Sequence, residues 1–226
     1  MNPQILKKGI RRFLPQTPAQ CLLIAAILCG VTLMANGLYI KAKAQFAQLL
    51  ISHAWEQQKL TGNNHKPWPW ADTYPIARLS LQDQTSSWVL SGANARNLAF
   101  GPTLQTHTAA PGRKGNVVVF GHNDTHFSGL SSIALGDELN LETRAGTKVF
   151  YQVTDVAIVH ESETEWADNT PDDRITLITC YPFDSLTFNG PMRYIVVAKP
   201  IQPEIDLDDF SPTEFYTRHH TNKLWL

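Results

Sequence analysis

Residues 174–182 read Arg-Ile-Thr-Leu-Ile-Thr-Cys-Tyr-Pro, an apolar, β-branched run stopped by a proline. Such a run predicts a strand, and Pro182 cannot extend a hydrogen-bonded ladder, so Cys180 is expected where the strand emerges into a loop. Two further runs, Val117-Val118-Val119-Phe120 and Ile195-Val196-Val197-Ala198, are continuously apolar rather than alternating. That pattern suits central strands buried on both faces. Working outward, the predicted strands are Ile76–Leu81, Ser87–Ser91, Val117–Gly121, Glu138–Glu142, Val149–Asp155, Val156–Glu161, Ile175–Cys180 and Tyr194–Lys199. Asn116, Gly136-Asp137, Ala145-Gly146 and Asp172-Asp173 supply turn chemistry between them. Helical patterning is short, with Phe127–Leu135 the best candidate. Eight short strands in roughly 130 residues predict an all-β barrel or sandwich.

The chain has 226 residues and a formal net charge of −1, which gives no electrostatic case for nucleic-acid binding. The charge is unevenly spread. Residues 1–55 carry Lys7, Lys8, Arg11, Arg12, Lys41 and Lys43 and no acid, and the remaining residues carry 13 basic and 20 acidic groups. Within the basic part, the 22 residues from Ala19 to Ile40 contain no charged group. At 1.5 Å per residue they reach about 33 Å, enough to cross a hydrocarbon layer about 30 Å thick. The four basic residues before the run place the N-terminus in the cytoplasm by the positive-inside rule. A cleaved signal peptide, cut after Ala42-Lys43-Ala44, is the competing reading, and the length of the run favours a retained anchor.

The expected organisation is a basic cytoplasmic tail (1–18), a transmembrane anchor (19–40), a juxtamembrane helix and linker (41–66), a β-barrel domain (67–201) and a tail (202–226). Phe46, Leu49, Leu50, His53 and Trp55 lie near helical spacing and predict an amphipathic stalk that ends at Thr61-Gly62-Asn63-Asn64. Cys21 and Cys29 fall inside the apolar run, leaving Cys180 as the only thiol of the exported part. An unpaired cysteine in an oxidising compartment is either a buried small hydrophobe or a reactive thiol.

Three residues sit at three predicted strand ends: Cys180, His122 directly after NVVVFG, and Arg193 opening RYIVVAK. If those strands are neighbours, a thiol, an imidazole and a guanidinium converge, which is the equipment of acyl transfer. Taken singly, each has an ordinary reading as a buried cysteine, a solvated loop histidine and a surface arginine.

At these residues the chain resembles the sortase family of membrane-anchored cysteine transpeptidases. The resemblance covers roughly residues 70–200. Thr176-Leu177-Ile178-Thr179-Cys180 is similar to the family's TLxTC motif, and GHNDTHFSGL resembles its histidine segment, with Asn123 where arginine is common. PWPWADTYPIARL and TCYPFDSLTFNGPMRYIVVA resemble the proteobacterial branch, class GN.

The resemblance implies a closed eight-stranded barrel after an N-terminal transmembrane helix, and a periplasmic domain on the inner membrane. It implies Cys180 as nucleophile, His122 as general acid and base, and Arg193 as oxyanion or backbone holder. Thr179, Tyr181 and Asn123 are the candidate substrate contacts. The implied partners are a protein with a C-terminal LPxTG-like sorting signal, an amine acceptor of unspecified identity, and membrane lipid around the anchor. No cofactor is expected.

His126 is the internal rival to His122. Glu161, Glu163 and Glu165 begin an acidic run that could attract calcium, although it lacks EF-hand spacing and a solvated loop is the preferred reading. A hydrolytic cysteine protease and a non-catalytic periplasmic adaptor are the alternatives. The absence of C-x-x-C argues against a thioredoxin-like oxidoreductase, and the absence of an SHGC motif against an L,D-transpeptidase.

Overall fold

The computed structural model describes residues 17–81, 86–184 and 190–201. The expected tail from Gln202 and most of the basic segment before the apolar run lie outside the described residues.

Helix α1 (Pro18–Thr61) opens with a capping box between Thr17 and Gln20 and stops at Gly62, whose φ of 75° is the left-handed conformation glycine tolerates best. Its 44 residues run about 66 Å, with mean hydropathy 2.2 over an 18-residue window, none of which is buried among the described residues. By length and composition α1 can cross a membrane.

The strands are β1 (Pro75–Leu81), β2 (Ser87–Ser91), β3 (Thr103–Leu104), β4 (Asn116–Phe120), β5 (Glu138–Thr143), β6 (Lys148–His160), β7 (Arg174–Tyr181) and β8 (Met192–Pro200), with a short helix α2 (Ala95–Leu98) between β2 and β3. They close into a barrel in the order β1-β2-β3-β4-β7-β8-β6-β5. The β2–β3 and β4–β7 pairs are parallel and the others antiparallel. This is the closed eight-stranded barrel expected from the sequence.

Alternation along the strands sorts the side chains onto two faces. Val117 and Val119, Ile175 and Leu177, and Val196 and Ala198 fill the barrel interior together with Leu79, Val89 and Leu141. Their neighbours Val118, Ile178, Ile195 and Val197 form a second cluster on the outer face, covered by Trp166 and Ala167 from the β6–β7 connection. The three continuous apolar runs therefore belong to strands apolar on both sides, as their composition requires.

The agreement in strand number conceals two offsetting differences. The segments expected as Val149–Asp155 and Val156–Glu161 are one strand, β6, with an irregularity between Val153 and Asp155 that absorbs the polar Thr154-Asp155 pair. Strand β3, two residues long, is too short to leave a period in the sequence. The helix expected at Phe127–Leu135 is a 3₁₀ turn, Ser128–Ser132. There the hydroxyls of Ser128, Ser131 and Ser132 donate to carbonyls three residues back, offering the backbone an alternative to α-helix.

The stalk face also differs from expectation. Ala47, Ile51, Ala54, Trp55 and Gln58 pack on the barrel, whereas Phe46 and Leu49 are 61 % and 67 % exposed. Two alanines on the packed face let the helix approach the sheet closely. Trp55 meets Trp88 with ring centroids 5.3 Å apart, and Gln58 Nε2 donates to Pro75 O at 2.9 Å. Trp55 is 1 % exposed. Trp55→Ala should destabilise the protein by about 3–5 kcal/mol, read as a lowered urea midpoint of the full chain.

Candidate active site

The site is built where β4, β7 and β8 lie side by side. Strand β4 runs parallel to β7 with Phe120 opposite Ile178. The pairing continues past β4, since Gly121 N donates to Ile178 O at 3.1 Å and the Thr179 hydroxyl donates to Gly121 O at 2.7 Å. His122 follows Gly121 directly, in the loop that leaves β4 beside β7. On the other side of β7, the antiparallel ladder sets Cys180 directly opposite Arg193. Directly opposed residues share a face of the sheet. Cys180 follows Ile178 by two residues and Arg193 precedes Ile195 by two, so both belong to the outer face.

The loop carrying His122 is tightly pinned. A Cβ on Gly121 would fall 2.6 Å from the Phe127 ring, so only glycine allows that fully buried ring to close under the loop. Phe127 N donates to His122 O at 3.0 Å, and Asn123 Nδ2 donates to Pro182 O at 3.0 Å, tying the histidine loop to the segment after the cysteine. The Tyr181–Pro182 peptide is cis. Tyr181, Phe183 and Tyr194 form an aromatic group beside it, with Tyr181 and Tyr194 stacked at 6.2 Å. Burial, followed by the neighbouring Tyr181, raises the Tyr194 phenol above its ordinary pKa.

Arg193 is held by three acceptors. Nη1 donates to Gly190 O at 2.6 Å and to Met192 O at 2.9 Å, and Nη2 donates to Glu161 Oε2 at 2.6 Å. The guanidinium is thereby fixed in one orientation. Cys180 is a free thiol of intermediate exposure, and His122 is exposed.

The remaining expected site residues divide. Tyr181 follows the cysteine directly, and Asn123 reaches the Pro182 carbonyl two residues beyond it. Thr179 is 2 % exposed with its hydroxyl committed to Gly121 O, so it ties β7 to β4 and has no surface to offer a substrate. His126 lines a cavity of about 150 Å³ with Leu79, Leu81 and Ser87, a set that excludes Cys180 and Arg193. Its imidazole is held below its ordinary pKa by burial first and by His122 second, partly offset by Asp124.

The acidic run is occupied by local structure. Glu161 meets Arg193, Glu163 Oε1 accepts from His160 N at 3.0 Å, and Asp172 forms two hydrogen bonds to Arg174, the chief cause of its lowered pKa. Asp173 Oδ1 accepts from Gly115 N at 2.9 Å. Among the described residues no three His, Cys, Asp or Glu side chains converge to hold a metal ion. Glu161 is instead a site residue whose partner sequence reading missed. The contact follows from the β6–β8 register, which pairs Val159 with Arg193, and that register is not written in the local sequence.

The closed eight-stranded barrel, with Cys180 opposite Arg193 across β7 and β8, can now be set beside known proteins. Residues 80–201 match the family model described as Sortase domain, more than half of the chain, and the chain belongs to that family. It is 30 % identical over 114 residues to Sortase D of Bacillus subtilis (strain 168), covering 50 % of this chain and 57 % of that one. With Sortase A of Listeria monocytogenes serovar 1/2a it shares 35 % identity over 96 residues, 41 % of this chain and 42 % of the other. The matches thus span about half the length of these relatives. A solved Clostridium perfringens Sortase D5 transpeptidase has the same fold, with a TM-score of 0.53 at 22 % identity over 65 % of this chain and 88 % of that one.

Two predictions follow from the electrostatics. The Glu161–Arg193 pair is largely solvent-exposed on its carboxylate side, so Glu161→Gln should change unfolding free energy by less than about 1 kcal/mol in a urea titration. Because the folded state lowers the His126 pKa, the unfolded chain takes up its proton first. The contribution of His126 is intact above the unfolded value near 6.5 and is lost as pH falls from there through the lower folded value. His126→Asn should therefore flatten the stability–pH curve on the acid side of about pH 6.5 and leave it unchanged above.

Proposed function

We propose that this protein is a membrane-anchored cysteine transpeptidase, as members of its family are, acting on a partner protein with a C-terminal sorting signal of the LPxTG kind. The observation that carries the reading is the cross-strand register that opposes Cys180 to Arg193, with His122 at the end of the adjoining parallel strand.

In this reading Cys180 supplies the nucleophile as thiolate, the reactive form of a thiol whose ordinary pKa is near 8.5. A guanidinium stays charged at any working pH. The sulfur attacks a backbone carbonyl carbon, and the resulting oxyanion or the flanking peptide backbone is met by Arg193. Collapse breaks the C–N bond, and His122 donates a proton to the leaving amine, giving a thioacyl enzyme. A second amine then attacks the thioester, and the neutral His122 takes up its proton as the new amide forms and the cysteine is released. The aromatic group of Tyr181, Phe183 and Tyr194 gives this region apolar surface, which disfavours water as the competing nucleophile. No cofactor enters the scheme.

The four basic residues before the apolar run orient the N-terminus to the cytoplasm, with α1 as a retained single-pass anchor and the barrel outside. Resemblance to the proteobacterial branch makes the inner membrane and periplasm the proposed location.

Incubation of the full chain with a sorting-signal peptide library and an added amine should give a thioacyl adduct on Cys180 by mass spectrometry, together with amine-ligated product. Cys180→Ala should form no adduct. Arg193→Ala should reduce turnover about 10²–10³-fold, the usual cost of losing a positioned oxyanion donor. Amine-independent cleavage would favour a hydrolytic protease, and an unreactive Cys180 would favour an adaptor without catalysis.

A further inference from the structure

The Pro-Trp-Pro-Trp stretch, residues 67–70, plays no part in the chemistry above, yet the fold returns it to a particular level of α1. After Gly62 the chain doubles back along the helix. Trp68 packs edge-on against Phe100 at 5.0 Å, and Gln48 Nε2 donates to Phe100 O at 2.6 Å, fixing this corner to the helix. Trp70 stays outside that packing and is 80 % exposed. It borders a mainly apolar cavity of about 440 Å³ together with Lys43, Phe46 and Leu50 of α1.

That level is set by arithmetic along the helix. The uncharged run ends at Ile40, and Lys43 to Phe46 lie about 5–9 Å beyond it. The headgroup layer on one side of a bilayer is about 5–8 Å thick. We propose that Trp70 and Phe46 form a lipid-facing foot, seated at the headgroup layer of the same bilayer that α1 crosses. This rests on the anchor reading. Exposed tryptophan and phenylalanine suit that layer, because an indole has an apolar body and a polar N–H. Lys41 and Lys43 on the same stretch of α1 suit anionic headgroups, while Arg96 at the cavity is paired with Asp72 at 3.3 Å. Since Ala47 to Gln58 fasten the same helix to the barrel, the foot and the anchor together fix how the catalytic domain stands on the membrane.

The full chain, reconstituted in phosphatidylethanolamine–phosphatidylglycerol vesicles containing a phospholipid brominated high on its acyl chains, tests this by tryptophan quenching. The wild-type chain should float with the vesicles and show quenching. Trp70→Phe, an exposed substitution that leaves the core intact, should still float and lose most of that quenching, whereas Trp166→Phe should retain it. A floating Trp70→Phe chain quenched as strongly as wild type overturns the foot alone. A chain that does not float overturns the anchor reading and the foot with it.

Discussion

The pairing of β7 with its two neighbours is the constraint on which the rest of the molecule depends. Side chains on paired strands share a face only in one register, and a slip of one residue sends every side chain to the other side. Here the register is secured from both faces. Ile175 and Leu177 lock into the barrel interior with Val196 and Ala198, while Ile178 and Ile195 lock into the outer cluster. With all of these buried, a one-residue slip would place Thr176 and Thr179 where apolar side chains now pack. The opposition of Cys180 and Arg193 is a consequence of that packing, requiring no interaction of their own.

The polar contacts refine what the hydrophobic register sets. Thr179 extends the β4–β7 pairing by one residue, Gly121 admits the Phe127 ring, and Asn123 ties the histidine loop to Pro182. Each of these acts on backbone, and together they hold His122 beside the cysteine strand although its side chain is exposed. Glu161 does the same for Arg193 from the turn just after β6. A guanidinium held by three acceptors keeps fewer conformations than a free surface arginine would.

How much of this was legible beforehand depended on the range of the signal. Continuous β-branched runs at Val117–Phe120 and Ile195–Ala198 marked central strands because burial on both faces leaves a local composition. Cys180, His122 and Arg193 were recognisable as strand-end residues by the proline and glycine near them. Other features leave no local trace. Strand β3 has two residues and no period, and the β6 irregularity reads as a boundary because polar Thr154-Asp155 interrupts the run. The Glu161–Arg193 contact joins residues 32 apart in sequence, so a carboxylate in an acidic stretch looked like any other. The packed face of α1 was misread for a physical reason as well: close approach selects Ala47 and Ala54, while the larger Phe46 and Leu49 face outward.

A structure of the protein carrying a sorting-signal peptide covalently captured on Cys180, through an electrophile at the scissile position, tests the convergence of Cys180, His122 and Arg193 most directly. The account predicts the peptide on the outer face of β7 and β8, with the His122 ring and the Arg193 guanidinium both within hydrogen-bonding distance of the captured group. A peptide directed away from both, with His122 facing solvent and Arg193 still bound only to Glu161 and backbone carbonyls, would contradict it.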